Sequence, residues 1–139
     1  MSKISLEEFN QLVQAELPWA AENDMELVSI EEGKATMRMP YQQNSIRPGG
    51  SISGPHMMML ADACMFAVVL SQLGKVKLAV TTSFNINFLR KPTECELLAE
   101  GKMIKAGKRL AVMEVSIFSD TEMVAHATGT YSIPPIETG

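Results

Sequence analysis

Asp62 stands out among the residues that could do chemistry, because it is the one charge in a long apolar run. From Met57 to Leu70 every other side chain is uncharged, and nearly all are apolar. Burying an unpaired carboxylate in such surroundings costs several kcal/mol, on the order of magnitude known for ions in protein interiors. Asp62 therefore needs strong partners, or it has a functional role that offsets this cost.

The first half of the chain predicts one helix and a β-hairpin ahead of this run. Ser5 and Glu8 form a capping-box pattern, and an amphipathic helix follows from about residue 5 to about residue 17, where Pro18 ends it. Residues 25–41 alternate in two short runs, which is typical of a hairpin. A loop rich in glycine and proline is expected over residues 42–55.

The second half predicts a central buried helix and four strands. Residues 55–73 are apolar on all sides, so the helix must be covered on all sides, and Gly74 ends it. The following strand alternates strictly, with one row on each face: Val80, Thr82, Phe84, Ile86 and Phe88 against Thr81, Ser83, Asn85 and Asn87. Residues 96–106 and 109–119 predict a hairpin, and residues 123–133 a last strand.

This order of elements is typical of an α+β domain in which one antiparallel sheet curls around one helix. The polar row of the alternating strand indicates that the far face of the sheet is wet or packs against another subunit. Pairing of edge strands between two copies would remove an edge, so we expect a homo-oligomer: a dimer at least, with a tetramer left open.

Composition and charge exclude several classes of function. The 139 residues, 46% of them hydrophobic, fit a single domain over residues 1–139. A net charge of -4 without a basic cluster argues against a nucleic-acid partner. Acidic residues near the start of the chain argue against an export signal, so we expect a cytoplasmic protein, and the 14-residue apolar run argues against a membrane span. Cys64 and Cys95 suggest neither a disulfide nor a metal site.

Three segments carry a resemblance to a known family. Together with the order of elements, "GGSISGPHMMMLADA", "NINFLRKP" and "GKRLAVMEV" resemble the hotdog-fold thioesterases, in particular the acyl-CoA thioesterases of the phenylacetic-acid-pathway type. The likeness covers a core from about residue 25 to about residue 133. It implies a hotdog fold with an additional N-terminal helix and hydrolysis of a small- to medium-chain or aryl acyl-CoA thioester to the free acid and CoA, with no cofactor and no metal.

The resemblance also implies roles for individual residues. In the family a His-Gly-Gly turn leads into the central helix, and a catalytic acid follows nine residues after the His. Counting back from Asp62 places this turn on Ser53, Gly54 and Pro55. Asp62 is then the general base or nucleophile, and the Gly54 backbone N–H is the oxyanion donor. Thr81 matches the position of a residue that orients the attacking water. The two helices of a hotdog dimer lie near the subunit interface, so Gly54 of one subunit and Asp62 of the other share a site.

Thioester hydrolysis needs few groups, because a thiol with a pKa of roughly 8.5 leaves without much help from an acid. One carboxylate and one oxyanion donor suffice. Pro55 lacks an N–H and suits the first helical position, so it fixes the helix start and leaves the Gly54 N–H free. It also deletes a neighbouring donor, and loss of an oxyanion donor costs about 100-fold in rate where that donor is used.

Further residues are candidates for substrate binding. Ser53 and Pro55 belong to the turn, His56 lies at the mouth of the expected cleft, and Met58 belongs to a methionine cluster whose flexible thioethers form an adaptable wall for acyl groups. Thr82 shares the segment of Thr81. Among the cations, Arg109 is preferred over Lys91 and Lys108 as a partner of the CoA phosphates.

Alternatives stay open at this point. Asp62 could be a structural carboxylate, capped by backbone N–H groups or paired with Arg47. His126 is expected on a sheet face. The whole domain could bind an acyl-CoA without cleaving it, or act as a hotdog hydratase or dehydratase, which needs a carboxylate and a His that together move two protons.

Overall fold

The computed structural model describes residues 1–42, 52–75 and 79–135, so most of the predicted loop over residues 42–55, together with Arg47, lies outside the described residues. The predicted order of elements is confirmed, with one short helix added. The elements are α1 (Leu6–Glu16), α2 (Pro18–Ala21), β1 (Glu26–Glu31), β2 (Lys34–Met39), α3 (Gly54–Leu73), β3 (Val80–Phe88), β4 (Leu97–Ala106), β5 (Leu110–Ser119) and β6 (Glu122–Ser132).

One antiparallel sheet holds the six strands in the order β1-β2-β4-β5-β6-β3. Its inner face packs on α3, and the long helix and this sheet together confirm the hotdog architecture. The strand β3 lies at one edge, where it pairs with β6 alone among the described strands. This edge leaves β3 largely exposed, because most of its residues have no second neighbouring strand.

The central helix α3 is buried because the sheet curls around it. Leu60, Cys64 and Leu70 are fully buried, and the helix ends at Gly74 as predicted. By length and composition this 20-residue helix, which begins one residue before the predicted range 55–73, could cross a membrane. Because 61% of its apolar window is buried inside the protein, it is the core helix of this fold.

The N-terminal helix α1 is fixed by its cap and by one amide side chain. Ser5 and Glu8 form the predicted capping box, with donor–acceptor distances of 3.1 Å in both directions. On the buried face of α1, Phe9 packs against Phe66 of α3 with ring centroids 6.1 Å apart. Asn10 donates to the Leu27 carbonyl and accepts from the Leu27 N–H, which ties α1 to β1.

The helix α2 was not predicted. Proline ends a helix, but it also suits the first turn of one because its missing N–H has no partner there in any case. Pro18 does both: α1 ends at Glu16, and α2 begins at Pro18. The short helix carries Trp19 toward α3.

The strict alternation predicted for the strand after α3 is wrong at its start. Thr81 pairs with Tyr131 but Ser83 pairs with Thr130, so Thr82 is an extra residue in a β-bulge. The bulge shifts the pattern by one residue. Thr81 therefore faces α3 on the same side as Phe84, whereas the alternation placed these two residues on opposite faces.

Gly101 on β4 lets α3 approach the sheet closely, and this contact makes a stability prediction. A Cβ there would lie 2.9 Å from Cys64 Sγ and 3.0 Å from Val68 Cγ2. We expect Gly101→Ala to lower the free energy of unfolding by about 1–3 kcal/mol, because overpacking a fixed core forces side chains or backbone to shift. Urea unfolding measures this.

The double variant Gly101→Ala/Cys64→Ala is the control. Since the added methyl group then meets a smaller side chain, it should cost less than the sum of the two single changes. Additive costs, or a single Gly101→Ala variant as stable as the wild type, would contradict a tight helix–sheet contact.

Candidate active site

Asp62 lies on the side of α3 that faces β3 and β6, and it is half-buried. Two neutral side chains donate to it. The Thr81 hydroxyl lies 2.8 Å from Asp62 Oδ1, and the Tyr131 hydroxyl lies 2.7 Å from the same oxygen. The Tyr131 hydroxyl also lies 3.0 Å from the Asp62 backbone carbonyl. The bulge at Thr82 makes this possible, because it turns Thr81 toward the helix.

The two carboxylate oxygens of Asp62 therefore differ. Oδ1 accepts from both Thr81 and Tyr131, whereas no side chain or N–H in the described part of the chain donates to Oδ2. A carboxylate held by one oxygen has a fixed orientation, and its second oxygen keeps its lone pairs for another partner. This arrangement can take a proton from a water molecule or attack an electrophilic carbon.

The described contacts give little support to the alternative in which Asp62 is a structural carboxylate, capped by backbone N–H groups or paired with a cation. No Lys, Arg or His side chain pairs with Asp62 within residues 1–42, 52–75 and 79–135, and the proposed partner Arg47 lies outside these ranges. Its partners are two hydroxyl groups rather than the backbone N–H groups of a cap. Neutral donors orient a carboxylate without neutralising its charge.

Burial raises the pKa of Tyr131, and the charge of Asp62 raises it further. The phenol therefore stays protonated well into the alkaline range. It remains a donor to Asp62 at every pH at which the protein would normally work.

A cleft opens beside Asp62. It has a volume of about 330 Å³. Its walls are almost entirely apolar apart from the Asp62 and Thr81 side chains, and they are formed by Trp19, Met58, Met59, Asp62, Thr81 and Phe84. A second hollow of about 230 Å³ adjoins it, with Tyr131 and Phe66 in its wall. An apolar cleft with a few convergent polar groups is the usual form of a site for a small apolar ligand.

The N-terminus of α3 forms a second polar centre. Ser53 caps the helix by accepting from the His56 N–H at 3.4 Å, and Met57 N–H donates to the Ser53 carbonyl. The helix begins at Gly54, so Pro55 occupies its second position rather than the first, one residue later than expected. The Gly54 N–H has no acceptor among the described residues and lies at the positive end of the helix.

Gly54 and Asp62 cannot act on one carbonyl group within a single chain. They are eight residues apart on one helix, which places them about 12 Å apart along its axis at 1.5 Å per residue. Phe88 also lies against Gly54, since a Cβ there would be 3.2 Å from Phe88 Cζ. A site that uses both groups must therefore take them from two copies of the chain.

The structure brings some of the predicted site residues together and leaves others apart. Thr81 and Met58 line the cleft with Asp62. Ser53 and His56 lie at the helix N-terminus, where Ser53 Oγ and His56 Nδ1 are 2.6 Å apart, next to the exposed Pro55.

Thr82 and Arg109 lie outside the cleft. Thr82 sits on the bulge and donates to the Thr130 carbonyl at 3.2 Å. Arg109 is exposed in the turn before β5, and its carbonyl accepts from Ile133 N–H at 2.7 Å. The strand register places this turn at the end of the sheet where Val80 begins β3.

Sequence reasoning missed Tyr131, Trp19 and Phe84 as residues of the two hollows, whereas Met59 belongs to the methionine cluster that was expected to form an acyl wall. Tyr131 lies 69 residues from Asp62 in the chain, in a strand with no distinctive motif. The one signal in the sequence that could have indicated Tyr131 is its type: a tyrosine in a strand that packs on the central helix can donate a hydrogen bond to a buried carboxylate. Trp19 follows a proline that was interpreted only as a helix end.

A larger hollow of about 480 Å³ lies over the far face of the sheet, lined by charged residues of β2, β4 and β5. Glu114 pairs there with Lys102 at 3.1 Å and with His126 at 3.2 Å, and these two partners hold its pKa below the usual range. His126 thus lies on a sheet face, as expected. Exposed pairs of this kind are ordinary surface electrostatics.

Comparisons with known proteins agree on a family. The model of the family described as the thioesterase superfamily matches residues 49–126. A protein of Saccharolobus solfataricus, named a candidate esterase, is 31% identical over 111 residues, which cover 78% of this chain and 73% of that protein. The crystal structure of a candidate thioesterase from a Silicibacter species is 35% identical, with a TM-score of 0.87 and coverage of 97% of this chain and 95% of that chain.

A more distant structure shares the fold alone. The phenylacetic acid degradation protein of Thermus thermophilus, in a mutant form, is 19% identical with a TM-score of 0.77, and the match covers 84% of this chain and 99% of that one.

The contact between Tyr131 and Asp62 makes a prediction for alkaline stability. The pKa of Tyr131 is raised in the folded protein above its ordinary value of 10.0. Above about pH 10 the unfolded chain loses this proton while the folded chain keeps it, so the unfolded state gains and stability falls. We expect the wild type to lose more unfolding free energy between pH 9 and pH 11 than Tyr131→Phe does.

Denaturant unfolding at several pH values measures the difference between the two proteins. Tyr41→Phe is the comparison variant. Burial and the charge of Glu94 also raise the pKa of Tyr41, though less than that of Tyr131, so Tyr41→Phe should reduce the alkaline loss of stability by a smaller amount. Parallel stability curves for wild type and Tyr131→Phe would show that the phenol is not protected from ionisation by the fold.

Proposed function

Because the chain belongs to the thioesterase superfamily, we propose that it hydrolyses a small- to medium-chain or aryl acyl-CoA thioester to the free acid and CoA. The observation that supports this proposal is the asymmetric carboxylate: Oδ1 of Asp62 accepts from two hydroxyl groups, no group in the described residues donates to Oδ2, and the Asp62 side chain lines an apolar cleft. The open oxygen supplies the base or nucleophile, and the cleft supplies a place for the acyl group.

In the general-base form of the reaction, Oδ2 takes a proton from water as the water oxygen attacks the thioester carbon. The carbonyl oxygen becomes an oxyanion, which the Gly54 N–H stabilises. The intermediate collapses by breaking the C–S bond, and the CoA thiolate leaves and is protonated. In the nucleophilic form, Oδ2 itself attacks the carbon, and water then hydrolyses the resulting anhydride. Both forms use the same two groups.

The proposal requires a dimer. The distance of about 12 Å along α3 separates the oxyanion donor from the carboxylate within one chain. The exposed edge strand β3 is the surface that supports such pairing, because it carries Thr81 at one end and Phe88, against Gly54, at the other. Antiparallel pairing of two β3 strands would bring Thr81 and Asp62 of one copy toward Gly54 of the next.

Pro55 favours the binding module as the second candidate. The oxyanion donor in this chain is one N–H, because Pro55 supplies none. With a donor set too weak for hydrolysis, the same cleft would hold an acyl-CoA without cleaving it. The hydratase alternative needs a His that moves a second proton beside Asp62. His56 lies six residues from Asp62 on the same helix, with Nδ1 2.6 Å from Ser53 Oγ, so it could take that role only from a second copy of the chain.

Asp62→Asn tests the chemistry. The amide keeps an oxygen that can accept from Thr81 and Tyr131, so the fold should persist with a melting temperature close to that of the wild type. It has no lone pair basic enough to take a proton, so we expect thiol release from a panel of acyl-CoAs to fall by about 10²- to 10⁴-fold. A thiol-reactive dye follows the release.

Asp120→Asn is the matched control: the same chemical change in the exposed β5–β6 turn, at a positive φ that Asn tolerates. It should leave thiol release unchanged. Saturable binding of acyl-CoA with no release by the wild type would favour the binding module. A melting temperature several degrees lower in Asp62→Asn would favour a structural carboxylate.

A mixing experiment tests the shared site. Gly54→Pro removes the donor N–H at a helix position where proline is accepted, and we expect a loss of about 100-fold. Gly54→Ala keeps the N–H and adds only a contact with Phe88, so it should lose much less. Unfolding and refolding Asp62→Asn together with Gly54→Pro should restore about a quarter of wild-type activity, because half of the dimers are mixed and carry one intact site of two.

The two variants refolded separately and then combined in the assay serve as the control for exchange. If the refolded mixture is no more active than its two components, the carboxylate and the donor do not come from different subunits.

A further inference from the structure

Trp19 occupies a distinctive place beside Asp62. It lies on the four-residue helix α2, in a segment that precedes the residues matched by the family model. The segment is held in place by Asn23, which is buried and donates to the Trp19 carbonyl at 2.7 Å, and by the Met25 N–H, which donates to the Ala20 carbonyl at 3.0 Å. The half-buried indole is thus presented to the cleft from a segment outside the residues that the family model matches.

Trp19 lines both of the hollows beside Asp62. The hollow of about 330 Å³ extends toward Met58, Met59 and Phe84. The hollow of about 230 Å³ extends toward Phe66, Leu17 and Ala79. The two have three lining residues in common, Trp19, Asp62 and Thr81. Since Asp62 and Thr81 are polar, the indole is the one apolar side chain among the described residues that lines both hollows.

The position of the polar groups decides what the indole does. Thr81 and Asp62 mark where a carbonyl carbon would have to sit, and the walls that lead away from them are apolar. A short acyl chain fills one hollow. A longer chain would have to pass the indole to reach the other, and a tryptophan ring is large and costly to displace from a packed position.

We propose that Trp19 sets the acyl-chain length that the protein accepts, by closing the first hollow at its junction with the second. The inference rests on the proposed function for the identity of the ligand as an acyl thioester. The class of substrate that follows is a short-chain or single-ring acyl group that packs against the indole and against Phe84.

Fluorescence tests the contact directly, because Trp19 is the one tryptophan in the sequence. The probes are the non-hydrolysable thioethers S-butyl-CoA, S-hexyl-CoA and S-octyl-CoA, with CoA itself as the control. We expect saturable changes in Trp19 emission with the butyl and hexyl compounds, weaker binding of the octyl compound, and no comparable change with CoA. An emission spectrum that stays unchanged with all three, or that responds equally to CoA, would overturn the inference.

Substitution tests the role in selectivity. We expect Trp19→Ala to raise the ratio of kcat/KM for octanoyl-CoA to that for butyryl-CoA by about tenfold or more. Without the indole, the last methylene groups of the octanoyl chain can enter the second hollow and contact its apolar wall. Trp19→Phe keeps a ring and should shift the ratio less. Leu17→Ala is the matched control: it enlarges the second hollow but leaves the indole in place, so the ratio should stay near that of the wild type.

The outcomes separate this inference from the proposed function. If thioesters are hydrolysed but the Trp19→Ala ratio does not rise, or rises equally in Leu17→Ala, the inference fails and the proposed function stands. If no thioester is cleaved but Trp19 emission responds to chain length, the proposed hydrolysis fails and the role of Trp19 in acyl binding stands. If Trp19→Ala does not fold, Trp19→Phe and the wild-type emission decide the question.

Discussion

The constraint on which the site depends is a carboxylate held in a largely apolar helix by two hydroxyl groups. A carboxylate without partners would be expensive there, and a cationic partner would lower its basicity. Thr81 and Tyr131 avoid both outcomes, because they are neutral donors that meet at one oxygen. Burial keeps the Tyr131 phenol protonated, so the donor does not become a competing anion. The cost of the buried charge is thus reduced without removing its reactivity.

The elements around Asp62 serve this arrangement. The sheet can approach α3 closely because Gly101 has no side chain, which fixes the depth at which the helix sits. The bulge at Thr82 then turns Thr81 inward. Tyr131 binds both the side chain and the backbone carbonyl of Asp62, so the strand β6 and the helix are joined at the same residue. A shift of the helix along the sheet would alter all three contacts together.

Most of the fold could be predicted from the sequence, but only part of the site. The capping box of Ser5 and the apolar run of α3 are local patterns, and both are confirmed, whereas the alternation predicted for β3 holds only after the bulge at Thr82. Asp62 itself was evident as a lone charge. Tyr131 was not, because a contact over 69 residues depends on strand register, and the bulge that brings in Thr81 leaves no mark in the residue types. The role of Pro18 was ambiguous, since proline both ends and begins helices.

The two hydrogen bonds between Asn10 and Leu27 attach the N-terminal segment to β1, at a distance along the chain from the residues that hold Asp62. The Phe9–Phe66 contact also ties this segment to α3, but none of these contacts uses the Thr81 and Tyr131 hydroxyl groups that hold the Asp62 carboxylate. Mutations in the first twenty-five residues could reshape the ligand preference while leaving the carboxylate and its two donors in place. Such a division would let new specificities evolve quickly on an unchanged reaction centre.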